Sequence, residues 1–126
     1  MPDVTVLVVD DDPVILKLLQ VNFELEGIRV TTAIDGAEGL ERVYEERPDV
    51  VISDIMMPNV NGLELLTALK GGPETMHLPV ILRSAKAQVA DVQRGLDLGA
   101  DDYVTKPFDP LELIARVYDV LAKSRS

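Results

Sequence analysis

Cysteine is absent from this chain of 126 residues, and histidine occurs once, as His77. The lack of cysteine excludes disulfides, thiolate nucleophiles and cysteine-ligated zinc together. The single histidine excludes a histidine-rich metal site, so a divalent ion has to be held by oxygen, which favours magnesium, manganese or calcium. Positive charge is also scarce. Twelve Lys and Arg face 22 Asp and Glu, for a formal net charge of -10. No basic run is present, and direct nucleic-acid binding by this chain is therefore not expected. No apolar stretch approaches the roughly 18 residues of a membrane span. Met1-Pro2-Asp3-Val4 lacks the basic and apolar regions of a secretory leader. A cytoplasmic chain without a membrane partner is the expectation.

What is present is an alternation of short β-branched runs with amphipathic helical patterns, without internal repeats. Residues 4–9, 28–33, 49–53, 79–83 and 102–105 read as strands. Asp12-Pro13 reads as a helix start, with the acid as N-cap and proline at the first helical position. In the helix that follows, Val14, Leu18, Val21 and Leu25 share a face, and Gly27 ends it. After an Asp35-Gly36 turn, Ala37, Leu40, Val43 and Tyr44 mark a second helix, closed by Arg47-Pro48. Leu63, Leu66 and Leu69 point inward from a third, which Gly71-Gly72-Pro73 breaks. Val89, Val92 and Leu96 mark a fourth, ending at Gly99. Asp109-Pro110 repeats the cap-plus-proline device before a fifth helix carrying Leu113, Ile114, Val117 and Leu121. Five strands alternating with five helices imply an α/β fold with a doubly wound parallel sheet. Right-handed crossovers leave few topologies, and the order 2-1-3-4-5 is expected.

Two strands run straight into carboxylates. Val6-Leu7-Val8-Val9 leads to Asp10-Asp11-Asp12, and Val50-Val51-Ile52-Ser53 leads to Asp54. In the expected order the ends of the first and third strands are neighbours at the switch point, where such sheets bind ligands. Like charges crowded there raise one another's pKa unless a cation neutralises them. Asp10, Asp11 and Asp54 therefore point to a metal and to phosphate chemistry, while Asp12 suits a helix cap.

Four segments, "VLVVDDDP", "VVISDIMMPNVNG", "LPVILRSA" and "GADDYVTKPF", occur in this order and span almost the whole chain. Together they resemble the receiver domain of bacterial two-component response regulators, a flavodoxin-like (βα)5 family. The resemblance implies a receiver over residues 1–122, followed by a polar tail or linker stub at 123–126. It implies that Asp54 accepts a phosphoryl group from a sensor histidine kinase or phosphotransfer protein. Mg²⁺, or Mn²⁺ in its place, would be held by Asp11 and Asp54, by Asp10 through a water, and by the Met56 carbonyl. Ser84 and Lys106 would bind phosphoryl oxygens, and Tyr103 would report the switched state. Such a domain is a signalling module, catalytic only toward its own phosphotransfer and slow dephosphorylation, and it acts on a downstream effector protein or domain.

Some residues depart from the family pattern. Ser84 stands where threonine is commoner, and Asn61 replaces the commoner aspartate before Gly62. Arg83 interrupts an apolar strand, with two readings open: its head snorkels to solvent, or it pairs with an acid. The C-terminal part looks closest to receivers of winged-helix transcriptional regulators, which dimerise through helix 4, strand 5 and helix 5. Asp102, Glu112 and Arg116 match the ion-pairing set there, whereas Val92 replaces a basic residue, so at most a weak, phosphorylation-promoted homodimer is expected.

Two other classes fit less well. A haloacid-dehalogenase-type phosphatase would use Asp10-x-Asp12, but Pro13 stands where it needs glycine and Lys106 follows its acidic pair. An FMN carrier would need donors, not three aspartates, after the first strand.

Overall fold

The computed structural model of the protein describes residues 4–57, 61–84, 89–105 and 109–125, the side chains of Val89, Asp91 and Arg125 excepted. Its elements alternate as β1 (Thr5–Val9), α1 (Pro13–Leu25), β2 (Arg29–Ala33), α2 (Gly36–Glu46), β3 (Val50–Asp54), α3 (Gly62–Gly71), β4 (Val80–Ser84), α4 (Val89–Asp97), β5 (Asp102–Thr105) and α5 (Pro110–Arg125). The five strands form one parallel sheet in the order β2-β1-β3-β4-β5, as expected.

The central strands are apolar on both sides because both faces are covered. Val6, Val8, Val50, Ile52 and Ile81 pack with Leu19 and Phe23 of α1 and with Leu113 and Val117 of α5. The intervening residues Leu7, Val9, Val51 and Leu82 pack with Val43 of α2, Leu65, Leu66 and Leu69 of α3 and Val92 of α4. This two-residue alternation also decides which side of the sheet rim each strand-end residue occupies. Asp10 continues the parity of Val6 and Val8, Asp54 that of Val50 and Ile52, and Arg83 that of Ile81. All three therefore emerge on the α1/α5 side.

Local chemistry sets the helix ends. The Asp12 side chain accepts from the Val14 N–H at 2.9 Å, with Pro13 opening α1. Asp109 repeats the arrangement with the Leu111 N–H at 2.9 Å. Asp35 caps α2 and Gly36 is already helical, so this pair is a cap and not a free turn. Asn61 and Glu64 form a reciprocal capping box at the start of α3. Arg47, in the left-handed region at φ 47°, closes α2 before Pro48.

Two expectations need correction. The α1 stripe Val14, Leu18, Val21 and Leu25 faces solvent; the packed face is Leu19 and Phe23, supported by Ile15 and Leu16. Two apolar stripes run along this helix, and spacing alone does not choose between them. Val92 is buried in the core and so does not occupy the surface position assigned to it on helix 4. α5 continues through Arg125, so residues 123–125 belong to a helix.

Candidate functional site

Asp10, Asp11 and Asp54 meet at the C-terminal rim of β1 and β3. One carboxylate oxygen from each lies within 4.8 Å of the other two. Asp10 and Asp54 are buried, while Asp11 is exposed and opens the cluster to solvent. The expectation that acids 44 positions apart share one pocket follows from β1 pairing directly with β3 (Val9 beside Ser53).

The backbone around Asp54 is tightly held. All five residues of β3 are buried, and the Ile55 N–H donates to the Arg83 carbonyl at 3.1 Å. Gly62 donates its N–H to the Ile55 carbonyl at 3.0 Å. A Cβ at Gly62 would run into the Asp54 carbonyl oxygen and the Ile55 backbone. In the sequence Gly62 is marked only as the residue that follows Asn61. Its role in letting α3 start against the strand that presents Asp54 has no sequence signature beyond an Asn-Gly pair.

Arg83 is resolved in favour of an acid partner. Its guanidinium donates to Asp10 Oδ2, and both residues are 1% exposed. The other Asp10 oxygen accepts from the Asp12 N–H at 2.8 Å. Burial pushes the Asp10 carboxyl above the usual aspartate range and the Asp54 charge adds to this; the Asp12 N–H and Arg83 pull it down without cancelling the effect. Strand parity was the signal available in the sequence: Arg83, Asp54 and Asp10 fall on the same side once the strand register is known.

Ser84 ends β4, which pairs with β3 in the register Asp54 beside Arg83. It is fully buried, and its hydroxyl makes no hydrogen bond among the described residues. Met56 lies two residues beyond Asp54, with its side chain in solvent. Tyr103 is 38% exposed on β5, its ring not buried in the core. Lys106 lies outside the described residues, so its expected place beside Asp54 stands on the sequence alone. Arg116 pairs with Asp102 at 2.9 Å and with Glu112 at 3.2 Å, all within one chain. The hydrogen bond to Asp102 holds the Arg116 guanidinium above its ordinary pKa.

The donor set suits a hard divalent cation. It offers three carboxylates with no nitrogen or sulfur, two of them buried where uncompensated negative charge is costly. Both oxygens of Asp10 are already engaged, one by the Asp12 N–H and one by Arg83.

A doubly wound sheet with an acid pocket at its switch point defines a phospho-signalling type of α/β domain, and residues 6–118 match the family model described as response regulator receiver domain. The chain belongs to this family, the receivers of two-component signalling systems. It is 43% identical over 119 residues to the alkaline phosphatase synthesis transcriptional regulatory protein PhoP of Bacillus subtilis, covering 94% of this chain and 49% of that protein. It is 42% identical over 120 residues to the phosphate regulon transcriptional regulatory protein PhoB of Rhizobium meliloti, covering 95% and 53%. The chain spans about half the length of these curated relatives. Among solved structures, a putative response regulator from Chloroflexus aurantiacus superposes with a TM-score of 0.91 at 34% identity, covering 96% of this chain and 99% of that one. The chemotaxis protein CheY4 of Vibrio cholerae superposes with a TM-score of 0.88 at 30% identity, covering 94% and 99%. No helix among the described residues is long and apolar enough to cross a membrane.

Proposed function

We propose that Asp54 is the phospho-acceptor of this receiver, supplied by a sensor histidine kinase or phosphotransfer protein in a Mg²⁺-dependent reaction. The observation that carries this reading is the convergence of Asp10, Asp11 and Asp54, from two strands, within 4.8 Å. An Asp54 carboxylate oxygen attacks the phosphorus of a phosphohistidine. The new P–O bond forms as the P–N bond breaks, and the imidazole leaves with the electron pair and takes up a proton. A carboxylate is a competent acceptor in such transfers, and positioning with electrostatics does most of the catalysis. When bound, Mg²⁺, or Mn²⁺, would supply charge neutralisation at the acceptor and phosphoryl oxygens. Asp11, Asp54 and the Met56 carbonyl would hold it, with Asp10 acting through a water.

Burial of Asp54 favours the transfer, because the acid presents its charge in a partly dry pocket where fixed groups are more effective. The buried Ser84 hydroxyl and Lys106 would then take phosphoryl oxygens, and Tyr103 would change its placement on β5. That rearrangement would alter the surface of α4, β5 and α5 and so control an effector domain or protein. The domain itself would catalyse only its own phosphotransfer and slow dephosphorylation. Residues 1–122 would form this unit, with 123–126 as a polar tail or linker stub. The relatives named as transcriptional regulators support a DNA-binding output in a longer protein, acting in the cytoplasm. A weak dimer through α4, β5 and α5 would have to exchange the Arg116 pairs within one chain for pairs between two.

Acetyl phosphate with Mg²⁺ is expected to raise the intact mass by one phosphoryl group, and a chelator should prevent it. Asp54→Asn should abolish this labelling; retention of the label at an unchanged rate would remove Asp54 from the role. In a dehalogenase-type reading, Asp10→Asn would be the variant that loses it.

A further inference from the structure

Arg83 is among the largest side chains that the fold buries completely, and it is a cation on a strand that is otherwise apolar and hydroxyl-bearing. β4 is separated from β1 by β3. The Arg83–Asp10 pair therefore bridges across the end of the strand that carries Asp54. One Asp10 oxygen belongs to the Asp12 N–H and the other to the guanidinium. Asp10 is thus one of three clustered acids and is fully engaged by the protein itself.

We propose that Arg83 is a resident counter-ion of the acid pocket, one that competes with a divalent cation for Asp10 and so holds metal affinity down. The inference rests on the reading of the three acids as a metal site. A positive charge placed among crowded carboxylates relieves their mutual repulsion without any metal. The same charge repels an incoming divalent ion and occupies the oxygen that would orient a metal-bound water. Entry of the ion then relies on Asp11 and Asp54, and Asp10 joins only when Arg83 lets go. Arg83 is a positioning residue in this sense, acting through Asp10.

Mn²⁺ binding provides the test, measured by the paramagnetic resonance of the free ion at constant pH and ionic strength. Arg83→Met is expected to bind Mn²⁺ about tenfold or more tightly than the unaltered protein, a modest part of what two neighbouring cations cost each other at intermediate dielectric. Arg83→Lys keeps the charge and should stay near the unaltered protein. Equal or weaker binding by Arg83→Met overturns the competition while leaving the metal site intact. If neither the unaltered protein nor Arg83→Met binds Mn²⁺ better than Asp54→Asn, the metal site itself fails and the inference with it. A second measurement needs no variant. The rotation of the Arg83 guanidinium, followed by ¹⁵N resonance and slowed by its ion pair, should quicken when Mg²⁺ saturates the protein. Rotation that stays slow at saturation overturns the proposal even if Arg83→Met does not fold.

Discussion

Ser84 ends β4 with a buried hydroxyl that has no hydrogen-bond partner among the described residues. A buried polar group left unsatisfied costs about 1–3 kcal/mol. Ser84→Ala is therefore expected to leave the unphosphorylated protein as stable as before, or more so by up to about that amount, in urea denaturation. The same variant should still accept one phosphoryl group, yet show a reduced change in amide resonances over β5 and α5. Loss of stability without any change in that response would make Ser84 a structural residue only. Arg83 is the other residue whose identity and role separate. Its charge is plain in the sequence, and its oddity in an apolar strand is plain too. What decides between solvent and an acid is the register of β4 against β3 and of β3 against β1, which places it over Asp54 and within reach of Asp10.

At the scale of elements, the start of α3 shows how a helix is seated against a functional strand. The Asn61–Glu64 capping box satisfies the first turn, and Gly62 brings that turn against the Asp54 carbonyl. Backbone atoms on both sides cannot move aside as a flexible side chain would. Gly62→Ala should lower stability by about 1–3 kcal/mol through overpacking, measured by urea denaturation. It should also shift the amide resonances of Asp54 and Ile55 and slow phosphorylation. An unchanged midpoint would show that the close approach is not needed. Existence, type and order of all ten elements were legible from hydrophobic period and cap chemistry, with four strands starting one residue later than expected, at Thr5, Arg29, Val50 and Val80, and two of them ending one later, at Asp54 and Ser84. The inward face of α1 was not. Val14, Leu18, Val21 and Leu25 form as regular a stripe as the residues that actually pack, and only the positions of the sheet and α5 choose Leu19 and Phe23.

For the whole molecule, the net charge of -10 and the buried acids act in the same direction. Both make a bound divalent cation favourable to the folded chain, which alone brings Asp10, Asp11 and Asp54 together. Binding to the folded state only should stabilise it by about 2.7 kcal/mol at a hundredfold excess of Mg²⁺ over its dissociation constant. Thermal unfolding at constant ionic strength is expected to shift upward with Mg²⁺, and Asp54→Asn should lose most of the shift. An equal rise in both proteins would assign the effect to general screening of the acidic surface.

The sequence by itself determined the alternation of strands and helices, the caps that bound them, the all-oxygen character of any metal site and the acids that would form it. These follow from local chemistry: period, turn residues and the residue types present or missing. Only the tertiary structure decided that Arg83 is buried against Asp10, that Gly62 touches the carbonyl of Asp54, and which stripe of α1 is covered. Each of these depends on which distant segment becomes a neighbour. A side chain's charge or apolarity is carried in the chain, but its partner is chosen by register and packing across the sheet.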